Sequence, residues 1–176
     1  VVRITVNENL IQSQFAEVDG FWRKYTKTQE NLITEQVTYN GNRYEVKGRK
    51  FVSEMGFSTI FNSDLLDYQY DADSNVATFT LAGKLFTDKA YLAISICNYP
   101  LRETVEGLQL QSVIPLSLSA GKYGASRIDG FQLVGQQGNQ YLYDYCLETN
   151  GKVYLLEIKY EGVSPEKYIP QLMACV

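Results

Sequence analysis

The sequence predicts an α+β protein that contains an antiparallel β-sheet, and two local patterns carry that prediction. Asn-Gly pairs at 40–41 and 150–151 each join two β-rich runs, and this dipeptide favours the two-residue turns of β-hairpins. Apolar residues at three- and four-residue spacing, typical of amphipathic helices, occur near both ends of the chain. A chain of 176 residues is long enough to bury a core of its own.

The first 50 residues are predicted to form a helix followed by a hairpin. The helix covers 8–25, or two shorter pieces separated at Gly20, which weakens it. Its apolar stripe consists of Ile11, Phe15, Val18, Trp22 and Tyr25. The hairpin joins 33–39 to 42–46. One of its faces is apolar, and the other is polar and predicted to be solvated. The pairs predicted on the apolar face are Val37 with Tyr44 and Glu35 with Val46.

Three strands and one helix are predicted in the middle of the chain. The strands lie at 56–61, Val76–Leu81 and 90–98, and the last two are placed at the centre of the sheet. A helix over 103–112 would use Leu101, Val105 and Leu108 as its buried stripe. The Gly- and Ser-rich stretch 116–138 is predicted to be a long surface loop or a strand without an assigned position.

The second hairpin, residues 141–160, has the clearest pattern. Its two arms carry eight aromatic or aliphatic residues that share one face if the Asn-Gly turn is two residues long. This continuous apolar wall predicts a sheet with another layer packed on it. The predicted pairs are Leu147 with Tyr154, Tyr145 with Leu156, Tyr143 with Ile158 and Tyr141 with Tyr160.

The chain is predicted to close with a helix that starts at Ser164-Pro165-Glu166. This triplet offers an N-cap, a proline at the first helical position and an acid in the first turn. Pro170 lies about one turn further on and predicts a kink or a delayed start. The apolar stripe consists of Tyr168, Ile169, Leu172, Met173 and Val176.

Composition narrows the function classes. The chain has a net charge of −4 and no basic stripe, which argues against nucleic-acid binding. No apolar run approaches the ~18 residues of a membrane span. Histidine, the commonest general base and metal ligand, is absent from the whole sequence, and no cofactor motif is present. We therefore predict no cofactor, no metal site and no catalytic residues.

One acidic pair merits attention. The hairpin register places Asp144 opposite Glu157, and like charges at directly opposed positions destabilise a sheet. A shared site would raise the pKa of one carboxyl group and create an acid/base pair or a cation site. The alternative is that both carboxylates point into water beside Lys159.

Two other patterns are interpreted structurally. Asp71-Ala72-Asp73-Ser74-Asn75 resembles the opening of a calcium loop but lacks its later glycine and glutamate, so a β-turn is favoured. Three cysteines lack metal spacing and a neighbouring histidine, so buried structural thiols are favoured, with a disulfide between two of them as the alternative. They are Cys97, Cys146 and Cys175.

From position 51 onward, the order of elements resembles the Mog1/PsbP-like family. The segments that carry the resemblance are an entry strand Glu54-Met-Gly-Phe-Ser-Thr-Ile-Phe61, a central strand Ala90-Tyr-Leu-Ala-Ile-Ser-Ile-Cys97, the helix near Thr104-Val-Glu-Gly-Leu108, the hairpin 141–160, and a closing helix with Tyr168 and Leu172. The resemblance implies an α/β sandwich, an antiparallel sheet with helices packed on its faces. It divides the chain into an extension, 1–50, and a family domain, 51–176, with one domain over 1–176 as the alternative.

The same resemblance implies a non-catalytic binding or accessory module. The extension over 1–50 favours the bacterial cell-envelope branch of the family. The expected partner is a protein or a cell-wall component, recognised through a sheet face or a loop. The chain starts Val1-Val2-Arg3 without Met, so a processed start is expected, with a signal peptide or lipid anchor upstream and an extracellular or envelope location.

Two other function classes stay open at this stage. A small enzyme would need a deep pocket lined by tyrosines and by at least one of Asp144, Glu157 or Asp129. A purely structural subunit of a larger complex would need an exposed apolar patch of several hundred Å².

Overall fold

The computed structural model describes residues 32–83, 88–108, 112–118 and 128–176. Within these ranges the chain forms ten strands and two short helices. The strands are β1 (Leu32–Tyr39), β2 (Asn42–Val52), β3 (Ser58–Phe61), β4 (Leu66–Asp71), β5 (Val76–Leu81), β6 (Lys89–Cys97), β7 (Ser112–Leu118), β8 (Ile128–Gln137), β9 (Gln140–Thr149) and β10 (Lys152–Glu161), and the helices are α1 (Leu101–Leu108) and α2 (Pro165–Met173). The helix predicted over 8–25 lies outside the described residues.

The strands form two antiparallel sheets. Seven strands follow the order β4-β5-β6-β10-β9-β8-β7, and three follow the order β1-β2-β3. The prediction of an α+β sandwich with helices packed on the sheet faces is wrong, because strands make up 62% and helices 13% of the described structure. The predicted boundary after residue 50 falls inside β2, which continues to Val52.

The fold prediction failed because the layer that covers the apolar face of the 141–160 hairpin is a second sheet and not a set of helices. Aromatic side chains of the small sheet pack on the large one: Phe51 lies 6.0 Å and Phe61 5.2 Å from Phe79 between ring centroids. Tyr39 of β1 meets Tyr143 of β9 edge to face at 5.9 Å. A second sheet therefore takes most of the place that the prediction gave to helices.

Both hairpin predictions are confirmed residue by residue. β9 and β10 pair in the predicted register, with Tyr143 opposite Ile158 and Tyr145 opposite Leu156. β1 and β2 also pair as predicted, with Val37 among the matched positions. At both turns Asn and Gly adopt positive φ, as a type I′ turn requires.

The stretch between Leu108 and Gly138 was predicted only in part. The described helix covers Leu101–Leu108 and buries none of its residues, and Ser112 belongs to β7 instead of the helix. The stretch 116–138, predicted as a loop or a strand without an assigned position, contains the last three residues of β7 and all of β8, two neighbouring strands at one edge of the large sheet. Its glycines suggested a loop, but Gly130 occupies a strand position where β9 approaches closely.

The closing helix starts where the sequence predicts. α2 begins at Pro165, with Ser164 at the N-cap position, although the Ser164 side chain makes no capping hydrogen bond. Pro170 lies inside the helix and is buried, so the start of the helix is not shifted to a later residue. Tyr168, Ile169 and Leu172 enter the core between the two sheets. α2 therefore closes this core beside β10 and β1.

The close approach at Gly130 gives a stability prediction. A Cβ atom there would meet the backbone carbonyl oxygen of Cys146 and approach Leu147 Cδ2 to 2.8 Å. We expect Gly130→Ala to lower the free energy of unfolding by about 1–3 kcal/mol, because the neighbouring strand must shift. Chemical denaturation measures the change.

Gly107→Ala in α1 is the matched control, since a Cβ atom at that position meets nothing within 4 Å. Replacing glycine by alanine within a helix should raise the free energy of unfolding by about 0.5–1 kcal/mol. Equal effects of the two substitutions would contradict the packing described at Gly130.

Candidate functional site

A cavity of about 420 Å³ lies between the two sheets, beside the C-terminal end of α2. Its walls come from both sheets and from the end of the chain. The apolar residues that line it include Val37, Ile60, Ile94, Leu147, Leu156 and Met173. A volume of this size falls in the range of ligand cavities, about 300–1,000 Å³.

Strand register explains why the floor of this cavity is apolar. Leu156 of β10 lies opposite Ile94 of β6, so both side chains point to the same face of the large sheet. Leu147 belongs to the same face, because it shares the alternation of Tyr143 and Tyr145 along β9. The apolar face of the β9–β10 hairpin, which the sequence predicts, therefore also forms the floor of the cavity.

Polar groups occupy a smaller part of the lining. The Thr59 hydroxyl donates a hydrogen bond of 2.6 Å to the Cys175 carbonyl oxygen, which ties β3 to the end of the chain after α2. Glu35 is the one charged side chain among the described lining residues. The cavity therefore suits an apolar group better than an anion.

A second cavity, of about 330 Å³, lies at the end of β1 against β7, β8 and β9. Polar side chains make up a larger share of its lining residues, which include Tyr39, Tyr143 and Gln132. The Gln132 side-chain amide donates a hydrogen bond of 2.9 Å to the Tyr145 hydroxyl. Met173 lines both cavities, so the two lie next to each other.

The predicted acid pair lies on the opposite face of the large sheet. Asp144 and Glu157 are directly paired across β9 and β10. Asp144 is only 4% exposed, so the alternative in which both carboxylates point into water is wrong for Asp144. Burial, and then the charge of Glu157, raises the pKa of Asp144 to about 7. Burial also raises the pKa of Glu157.

Among the described residues of this face, Tyr91 lies near the pair. Burial raises the pKa of Tyr91, and the charges of Glu157 and Asp144 raise it further. The β9 tyrosines, in contrast, point into the core on the other face. The described residues Asp144, Glu157 and Asp129 line neither of the two cavities. These three carboxylates therefore lie apart from both cavities.

The three cysteines are free thiols. The interpretation as buried structural thiols is confirmed for Cys146 and Cys175, while Cys97 is half-buried. Burial is the main cause that raises the pKa of all three, to about 12 for Cys146. Each thiol therefore stays protonated at neutral pH, which makes it a poor nucleophile.

The Asp71–Asn75 segment is a turn between β4 and β5, as predicted. The Asp71 carboxylate accepts hydrogen bonds from the Asp73 amide at 3.0 Å and from the Ser74 hydroxyl at 2.6 Å. Asn75 adopts a positive φ of 53°. The described part of the chain contains no group of three or more cysteine, aspartate or glutamate side chains placed to hold a metal ion.

Comparisons with known proteins leave the family open. No family model matches the chain, and no curated protein matches it. The resemblance to the Mog1/PsbP-like family stays a prediction. Neither of the two described helices has the length and apolar character that crossing a membrane requires.

The sequence does not reveal the cavity. Its lining residues come from six strands and one helix that are distant along the chain. In the sequence, each of the apolar lining residues is indistinguishable from an ordinary core residue. The acid pair, in contrast, follows from the hairpin register. A register predicts which residues share a face, but it does not predict where packing between two layers is incomplete.

The buried carboxyl group predicts a pH-dependent stability. With a pKa near 7 in the folded state and 3.8 as its ordinary value, Asp144 keeps its proton on folding over a range where the unfolded chain releases it. The free energy of unfolding should therefore fall as pH rises from about 4 to about 7. Asp144→Asn should flatten this dependence and raise the free energy of unfolding near pH 8 by about 1–2 kcal/mol.

Urea denaturation at a series of pH values measures this effect. Asp67→Asn is the matched control, since Asp67 is an exposed aspartate on β4. The assignment to Asp144 fails if Asp144→Asn retains the native pH dependence, or if Asp67→Asn removes as much of it.

Proposed function

We propose that this chain is a non-catalytic binding module of the bacterial cell envelope and that the cavity between its sheets is the binding site. The partner is a protein or cell-envelope component that inserts an apolar group there. One observation carries the proposal: the cavity of about 420 Å³ has an apolar floor built from both sheets. The proposed binding site is thus this cavity, in place of the sheet face or loop expected from the sequence.

The energetics favour an apolar occupant. Each methylene group that moves from water into such a site contributes about 0.8 kcal/mol, so an alkyl chain of moderate length would bind measurably. One polar group of the lining, the Thr59 hydroxyl, already bonds within the protein. An apolar ligand would leave this internal hydrogen bond intact.

The chemistry of the lining supports binding rather than catalysis. The one cysteine that lines the cavity, Cys175, is buried, and burial raises the pKa of its thiol. A protonated thiol without a base beside it does not attack a carbonyl group. The carboxyl group with a pKa near neutrality, Asp144, lies on the other face of the large sheet.

The envelope location rests on the sequence resemblance. Fractionation of the native cells, followed by intact-mass measurement, tests it. We expect recovery in the envelope or the medium, with a mass that shows a removed signal segment or an added lipid. Recovery of an unprocessed protein in the cytosol would overturn this part of the proposal and leave the cavity assignment standing.

Binding of the neutral fluorescent probe N-phenyl-1-naphthylamine tests the cavity. We expect saturable fluorescence enhancement with the native chain, because the probe is apolar and uncharged. Thr149→Trp adds a large side chain at the cavity wall and should weaken binding at least about tenfold. Titration of both proteins gives the ratio.

Thr34→Trp is the control, because Thr34 is exposed on β1 and lies outside the cavity lining. It should bind the probe like the native chain. Val37→Phe provides a second block if Thr149→Trp folds poorly, since Val37 lines the cavity from the opposite sheet. Equal affinity in all four proteins would mean that the probe does not enter this cavity.

A further inference from the structure

The two cavities share a wall that a ligand could cross. Met173, in the last turn of α2, lines both of them. Methionine is unbranched and has three rotatable side-chain bonds, so it adapts to neighbouring groups more readily than other apolar residues. Val37 and Tyr39, two residues apart on β1, line the first and the second cavity respectively. The two cavities therefore lie along β1. The apolar cavity lies beside Val37, and the cavity with more polar side chains lies beside Tyr39.

The polar end holds a buried hydroxyl group that makes no hydrogen bond of normal geometry with any described residue. The Tyr39 hydroxyl lies near the Tyr143 hydroxyl and the Asn40 side chain, but it meets neither at the distance and angle of a normal hydrogen bond. The Tyr39 side chain as a whole is 3% exposed. Burial raises the pKa of Tyr39, and the neighbouring Tyr143 hydroxyl raises it further, so the group is neutral. A buried hydroxyl left in this state costs free energy that a ligand hydroxyl or amide could recover.

The charges around both cavities restrict the ligand head group. The described lining of the second cavity consists of neutral side chains, and that of the first contains Glu35 as its one charged side chain. A carboxylate or phosphate would lose its hydration there without gaining a cationic partner. An uncharged head with hydroxyl or amide groups matches Tyr39 and Tyr143.

We infer that the two cavities form one elongated site, and that its ligand is a single-chain amphipathic molecule with an uncharged hydroxylated or amide head. The alkyl chain occupies the cavity between the sheets, and the head lies against the Tyr39 hydroxyl past Met173. This assignment rests on the proposed function and names the chemical class that the site takes.

Calorimetric titration with 1-decanoylglycerol and with decanoate, both below their micellar concentrations, tests the assignment. The neutral glyceride should bind at least about tenfold more tightly than the carboxylate. Replacing 1-octanoylglycerol by 1-nonanoylglycerol should tighten binding about fourfold, the effect of one added methylene group. Thr149→Trp should weaken glyceride binding, because it narrows the cavity that holds the chain.

Tyr39→Phe removes the hydroxyl and keeps the ring. It should weaken 1-decanoylglycerol binding about 3- to 10-fold relative to the binding of N-phenyl-1-naphthylamine, which has no hydroxylated head. Its thermal midpoint should change little, since the deleted hydroxyl makes no internal hydrogen bond of normal geometry among the described residues. Tyr44→Phe is the control, because Tyr44 contacts Tyr39 at 6.2 Å between ring centroids but does not line either cavity.

The outcomes separate this inference from the proposed function. If the apolar probe binds but decanoate matches the glyceride, or Tyr39→Phe matches Tyr44→Phe, the elongated site is wrong and the apolar cavity still stands. If neither the probe nor the glycerides bind, both proposals fail together.

Discussion

The alternation of side chains along β9 is the constraint on which the rest of the structure depends. Successive residues point to opposite faces of a strand, so Tyr143 and Tyr145 enter the core while Asp144 between them is directed to the other face. All three are buried. The pairing with β10 that sets Ile158 beside Tyr143 also sets Glu157 beside Asp144. The register that builds the core therefore also creates the like-charge pair, and a one-residue slip would exchange the two faces.

The space between the sheets is filled unevenly. At one end three rings, Phe51, Phe61 and Phe79, lie within 6.0 Å of one another between centroids and fill the gap between the layers. At the other end the facing residues are smaller, among them Val37 and Leu156, and a cavity remains. Side chains around an unfilled space lack contact atoms on one side, so an apolar occupant would restore dispersion contacts at little cost in desolvation.

Local signals predicted the parts of the fold that depend on local chemistry. The Asn-Gly turns set both hairpin registers, and Pro165 marked the start of α2, because each feature is decided by neighbours in the chain. The layer that covers the hairpin could not be predicted this way, since the contact of Tyr39 with Tyr143 spans more than a hundred residues. β8 could be predicted only as a loop or as a strand without an assigned position, because Gly130 is required by the close approach of β9 and not by a turn. The acid pair followed from register, whereas the cavity arises from incomplete packing between layers.

The polar end of the inter-sheet space bears on how such a site could discriminate between ligands. A buried hydroxyl that makes no hydrogen bond of normal geometry, such as that of Tyr39, penalises an occupant that cannot bond to it, and neutral surroundings penalise an occupant that brings a charge. Both penalties act through desolvation, so they need no additional attractive contact to select among molecules with equal alkyl chains. In the proposed site, the apolar cavity would set affinity through chain length, and the tyrosine end would set selectivity through the head group. The two roles would lie on opposite sides of Met173, whose flexible side chain lines both cavities.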